Sequence, residues 1–181
     1  FSIFSSAHIF AETVSDSVYN YSLDIPEGFM LNEVSDDQLS YHFIHPNYPV
    51  QFIIKIYDHP GYDSSSKVLD RALKNLSAAM EIDTFAWNNS PECAISDFSM
   101  TLETKYSGWA VCAPLQKENA YVALFAYAPA DKRQSCNQFI MSILNSLCTD
   151  ENYYCFPGII ASYAYPYEGK KNIKLNIDGK V

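Results

Sequence analysis

Apolar residues along this chain follow two periods, and the switch between them separates strands from helices. Tyr19, Tyr21, Leu23 and Ile25 alternate with polar neighbours until Pro26-Glu27-Gly28 ends the run with turn residues. Leu39, Tyr41 and Phe43 alternate before His45-Pro46, and Val50, Phe52, Ile54 and Ile56 alternate up to His59-Pro60-Gly61. A period of two puts such residues on one face of an extended strand. The spacing then changes: Val68, Leu69, Ala72, Leu73, Leu76, Ala79 and Met80 recur every three or four positions, as one face of a helix requires. Asp63-Ser64-Ser65-Ser66 ahead of them offers oxygens to the unpaired first amides. Strands return at Ile82–Trp87, Cys93–Leu102, Tyr106–Ala113 and Ala120–Tyr127, with turns at Asn88-Asn89-Ser90-Pro91 and Gln116-Lys117-Glu118-Asn119. A second helical stripe follows at Cys136, Phe139, Ile140, Ile143, Leu144 and Leu147, and Asp131 with Gln134 ahead of it resembles a capping box.

Consecutive strands joined by tight turns pair antiparallel, and amphipathic helices between them must pack on the sheet faces. The expected class is α+β, a mainly antiparallel sheet with two helices packed on its faces. Both ends differ from this body. Phe1–Ala11 is a short apolar run closing on a small residue and followed by polar Glu12-Thr13, which reads as a signal-peptide remnant processed after Ala11; an ordinary first strand is the alternative. Residues 1–16 are therefore expected to be a flexible lead and 17–150 the folded domain. Residues 151–181 are read as an aromatic linker and the start of a second domain, truncated after the Ile173, Leu175, Ile177 alternation and its Asp178-Gly179 turn.

Composition narrows the partners. Of 181 residues, 48% are hydrophobic and 18% charged, which suits a globular core and not a disordered chain. The net charge of -9 and the dispersal of only 12 Lys and Arg leave no basic stripe, which disfavours nucleic acid and anionic membrane surfaces, and no nucleic-acid partner is expected. No stretch approaches the roughly 20 apolar residues of a membrane-spanning helix. Five cysteines are present without a Cys-x-x-Cys pair, which argues against structural zinc. In an oxidising compartment Cys148 with Cys155, or Cys93 with Cys112, are candidate bridges; buried thiols acting as small hydrophobes are the alternative.

With the elements in this order, Tyr21-Ser22-Leu23-Asp24-Ile25-Pro26-Glu27-Gly28-Phe29 resembles the opening strand of PsbP-like proteins, which ends in Pro-x-Gly-aromatic. Gly108-Trp109 within the four-strand run, and Ala126-Tyr127-Ala128-Pro129-Ala130-Asp131 leading into the last helix, resemble the rest of that pattern. The resemblance spans about Tyr19 to Leu147. It implies the α/β/α sandwich shared by extrinsic photosystem II subunits and the fungal factor that releases nucleotide from the Ran GTPase. It further implies a protein-binding or assembly role, and it carries over no functional residue.

Catalytic chemistry finds little support in the residues. His42 and His45 lie three apart on a strand, so their side chains face opposite ways. His45 and His59, with Asp58 and Asp63, flank one hairpin, and a metal site or small hydrolase built on them or on a cysteine is the rival reading. Glycines do not cluster into a phosphate loop, Cys136 sits on a buried stripe, and no catalytic residue, metal ligand or cofactor is assigned. The tail is more distinctive: Tyr154, Phe156 and the alternating Tyr163, Tyr165 and Tyr167 present amphipathic aromatic area of the kind interfaces use. The expected function is a non-catalytic protein-binding or assembly module of an exported protein, in the periplasm, cell envelope or outside the cell.

Overall fold

A computed structural model of the chain describes residues 12–75, 82–85, 93–150 and 153–154. The elements run β1 (Glu12–Asp16), β2 (Tyr21–Ile25), β3 (Met30–Val34), β4 (Ser40–Ile44), β5 (Gln51–Asp58), α1 (Ser65–Asn75), β6 (Ile82–Phe85), β7 (Cys93–Thr101), β8 (Lys105–Pro114), β9 (Ala120–Pro129), α2 (Arg133–Asn145), β10 (Cys148–Asp150) and β11 (Tyr153–Tyr154). Seven strands form one sheet in the order β3-β4-β5-β9-β8-β7-β6, and four form a smaller one in the order β1-β2-β10-β11. Each described pairing is antiparallel.

Alternation along the central strands builds a core on each side of the large sheet. On one side Ala94, Phe98, Ala110, Cys112, Ala123 and Phe125 receive the buried face of α1, Val68, Leu69, Ala72 and Leu73. On the other, Phe52, Ile54, Val111, Val122 and Leu124 pack against Ile140, Ile143 and Leu144 of α2 and against Tyr21, Leu23 and Ile25 of the small sheet. β9 is buried on both faces from Ala120 to Ala128, which is why its sequence reads as an almost unbroken apolar run. Each fully buried Leu or Ile here contributes about 1.5–3 kcal/mol. The α+β class is as the periodicity predicts, and the α/β/α sandwich is as the resemblance implies. The small sheet around β2 is an addition, because β1, β10 and β11 carry too little alternation to be read as strands; β3 of the large sheet goes unread for the same reason.

Helix starts differ in kind. Ser64 caps α1, with the Lys67 amide donating to its Oγ at 3.4 Å and the Val68 amide to its carbonyl at 3.1 Å. The capping box expected at Asp131 and Gln134 does not form. The chain turns after Pro129, Lys132 takes the N-cap position without a side-chain cap, and Asp131 falls one residue too early to reach the first amides. At the other end of α2 the Ser146 hydroxyl donates to Asp24 O at 3.1 Å and accepts from the Asp24 amide at 3.1 Å, tying helix to β2.

Cys93 and Cys112 do lie on neighbouring strands, as expected, but their side chains belong to the cores on opposite faces of the sheet, so they cannot bridge. Cys148 is buried on β10, where it pairs with Tyr154, and Cys155 lies outside the described residues. Gly108 meets a different constraint. It sits in register between Phe98 of β7 and Tyr127 of β9. A Cβ there would come within 2.1 Å of the Ala126 carbonyl oxygen. Without one, the Phe98 and Tyr127 rings meet across the strand between them, centroids 6.2 Å apart at 68°.

Candidate functional site

The predicted histidine site does not assemble. His45 follows β4 and His59 follows β5, at opposite ends of β5 and about 25 Å apart at the usual rise per strand residue. The hairpin turn lies at the His45 end only, so the expectation that both line one edge is overturned. His45 instead fills an aromatic cluster, with Phe29 at 5.2 Å, Tyr48 at 4.8 Å and Phe139 at 5.6 Å between centroids. Its Nδ1 accepts from the Asn47 amide at 3.1 Å, and it packs so closely on Gly28 that a Cβ there would lie 2.5 Å from Nε2. Gly28 also has φ +88°, so its lack of a side chain serves both the turn and the histidine. His42 faces the other side of the sheet, as the spacing predicted.

His59 lies beside a network no local motif announces. Asp58 Oδ2 accepts from Lys117 Nζ at 2.6 Å and from Tyr19 Oη at 3.0 Å, and the Lys117 ammonium stands 4.7 Å from the Tyr19 ring centroid. The lysine, more than any other neighbour, holds the Asp58 carboxyl below the usual carboxylate range. Three segments, the lead into β2, the end of β5 and the β8–β9 turn, meet here and join the small sheet to the large one. His59 Nε2 is 3.8 Å from the other Asp58 oxygen, beyond hydrogen-bonding distance. A cleft of about 420 Å³ opens alongside, lined by His59, Gly61, Tyr62, Asp63, Lys67 and Asn119. Its lysine is already bound to Asp63 at 2.6 Å, so the lining is close to charge-neutral. Among the described residues, no three His, Cys, Asp or Glu side chains converge as a metal site requires.

The predicted tyrosine surface is only touched by the described residues: Tyr154 is the last residue of β11, opposite Cys148, while Phe156, Tyr163, Tyr165 and Tyr167 lie outside them. Exposed apolar area concentrates elsewhere. β3 is exposed at all five positions, and its Met30, Leu31 and Val34 are three of the seven exposed large apolar residues among those described. Register assigns their faces, because paired residues share one. Leu31 and Val34 lie with Phe43 and Tyr41 on the α2 side, and Met30 with Ile44 on the α1 side. Tyr48, half exposed, stands at the same end of the sheet as Met30.

A hydrogen-bonded row steadies this edge on the α1 side. His42 Nε2 donates to Gln51 Oε1 at 2.9 Å, Tyr127 Oη donates to the same oxygen at 3.3 Å, and Asn32 Nδ2 approaches His42 Nδ1 at 3.4 Å. Burial pushes the Tyr127 hydroxyl up to about 12, so it remains a donor. In the β3–β4 turn, Asp37 accepts from Ser35 Oγ and from the Leu39 amide at 3.0 Å, and these bonds, the Ser35 one first, hold its carboxyl low. The segment that forms the edge carries charge of one sign, and Lys55 of β5, paired with Ser40, is the cation that reaches Asp37 and helps to lower its carboxyl. Residues 1–54 contain seven Asp and Glu and no Lys or Arg; the first basic side chain is Lys55. Glu27, Glu33 and Asp36 are exposed and form no ion pair with a described residue. This asymmetry was readable from the sequence by halving the charge count, whereas the openness of β3 was not, since nothing local separates an edge strand from a loop.

No protein-family model matches the chain, and no curated protein matches it in sequence. Solved structures do match. The solution structure of cyanobacterial PsbP (CyanoP) from Synechocystis aligns with a TM-score of 0.61 at 10% identity, covering 82% of this chain and 98% of that one. The Ran-binding protein Mog1p of Saccharomyces cerevisiae aligns at 0.53 and 10% identity, covering 78% of this chain and 96% of its own. At such identity the likeness speaks for architecture, and the sandwich described above is the one these proteins share. The chain has the PsbP-like fold.

Proposed function

We propose that this chain is a non-catalytic protein-binding or assembly module of an exported protein. The observation that carries the reading is the concentration of exposed apolar side chains on β3, with Tyr48 at the same end of the sheet, within the acidic first 54 residues. Surface of that kind suits a macromolecular partner better than a small substrate. The fold supports the same reading by analogy, since one structural neighbour is named a Ran-binding protein. Export is supported by the apolar run that ends at the small residue Ala11 and is followed by polar Glu12-Thr13. Beyond residue 150 the aromatic segment is a second contact element, with Tyr154, Phe156, Tyr163, Tyr165 and Tyr167 its anchors.

The test is affinity capture from the host's envelope extract with the full chain as bait. A stoichiometric partner is expected. Its recovery should fall when Leu31, Val34 and Tyr48 are changed to Ser, or when Tyr163, Tyr165 and Tyr167 are. Failure to recover any partner, or equal recovery by both variants, would sink the reading.

A further inference from the structure

We propose that β3 is a docking edge to which a partner protein adds an extended, basic segment as an eighth strand of the large sheet. The inference rests on the protein-binding reading and specifies its geometry. β3 is hydrogen-bonded to β4 on one side and to no described strand on the other, so its outer N–H and C=O groups present a template that only another extended backbone fits. Apolar side chains stand on both of its faces, Met30 on one, Leu31 and Val34 on the other, so an incoming strand finds apolar neighbours whichever way its residues alternate.

Charge selects the occupant. Glu33 sits within the strand, and Glu27, Asp36 and Asp37 flank it, in a stretch of chain without a single Lys or Arg before Lys55. A second copy would bring the same carboxylates against these and a further net charge of -9, so self-pairing is opposed. A segment that alternates apolar residues with Lys or Arg meets attraction instead. The Asn32–His42–Gln51 row and the Ser35–Asp37–Ser40 turn, where the Ser40 amide donates to Ser35 Oγ at 2.9 Å, hold the edge in place before docking and lower the ordering cost. The bulge between Leu31 and Glu33 breaks the regular ladder and adds twist, which restricts the edge to short segments.

The experiment pans a library of short random peptides, displayed on phage, against the full chain, then measures the selected peptides on the wild type and on a Leu31→Lys/Val34→Lys variant. Both side chains are exposed, so the variant should keep the wild-type melting temperature, which is checked first. The expected result is enrichment of alternating apolar and basic segments that slow amide exchange at Met30–Val34. Their affinity should fall at least about tenfold in the variant and weaken with added salt. Peptides that bind the variant equally, protect amides elsewhere, or are not basic would overturn the proposal. So would an absence of enrichment. Protection of Met30–Val34 in the chain alone would also overturn it, assigning the edge to a segment of the same chain if independent of concentration and to a second copy if not. If capture from envelope extract succeeds while these results fail, the binding reading stands and only the strand-addition geometry is lost.

Discussion

At Gly108 the fold has no room for even one carbon, because a Cβ would lie 2.1 Å from the Ala126 carbonyl oxygen and 2.7 Å from Tyr127 Cα. Both obstacles are backbone of the central strand and cannot rotate away. Gly108→Ala is expected to cost about 3 kcal/mol, the upper end of overpacking penalties, read as a lower urea midpoint with an unchanged slope. A variant as stable as the wild type would show that β8 and β9 can spread at no cost. Asp58 gives a pH signature. Its carboxyl is held low in the fold, chiefly by Lys117, so its contribution is present above the unfolded carboxylate pKa near ~4 and is lost as pH falls through the folded value beneath that. Asp58→Asn should therefore melt below the wild type at pH 7, and the gap should close as both are acidified below about pH 4. A gap that stayed constant down to pH 2 would assign the loss to packing and not to charge. Gly108 was legible only as a glycine before an aromatic; what it accommodates depends on a strand whose register no local pattern sets. The Asp58–Lys117 pair joins residues 59 apart, so no motif could announce it.

Elements were legible in proportion to how completely they are buried on a regular face. β5, β7, β8, β9 and both helices carry their period in the sequence because each repeats the same environment several times. β1, Glu-Thr-Val-Ser-Asp, has one apolar residue in five, and pairs with β2 through the ladder from Glu12↔Ile25 to Asp16↔Tyr21. Backbone hydrogen bonds hold such a strand, and they leave no trace in side-chain polarity. β3 fails for a related reason: its apolar residues face both ways across a bulge, so no alternation survives. Ser146 illustrates a join between elements that only the structure reveals. Ser146→Ala removes the bond from the Asp24 amide and the single O–H donation shared between Asp24 O and Ile143 O, and is expected to lower stability by about 1 kcal/mol. An unchanged midpoint in chemical unfolding would mean that water replaces the hydroxyl without loss.

Across the whole molecule, charge and core are distributed differently. The cores are centred on β8 and β9 and take contributions from both halves of the chain, whereas the net negative charge is weighted to residues 1–54, where no Lys or Arg offsets the carboxylates. No helix among the described residues is long and apolar enough to cross a membrane. The candidate surface was only partly legible, because its charge sign could be counted from the sequence while its exposure depends on which strand ends a sheet. The aromatic tail stood out for the opposite reason, as composition without placement.

The strand order carries one last consequence, for how the chain reaches this state. β3-β4-β5 and β9-β8-β7-β6 are each a run of hairpins between sequence neighbours, and the eight-residue β5–β9 ladder is the seam that makes them one sheet. Along that seam, partners stand as much as 76 residues apart, as Gln51 and Tyr127 do. The hairpins have short loops to close, and the seam has a long one, which makes zipping β5 to β9 the slow event of folding. The same seam is where the chain divides most naturally: two fragments, severed in the loop after His59, would each retain its own hairpins and could meet again as a split pair.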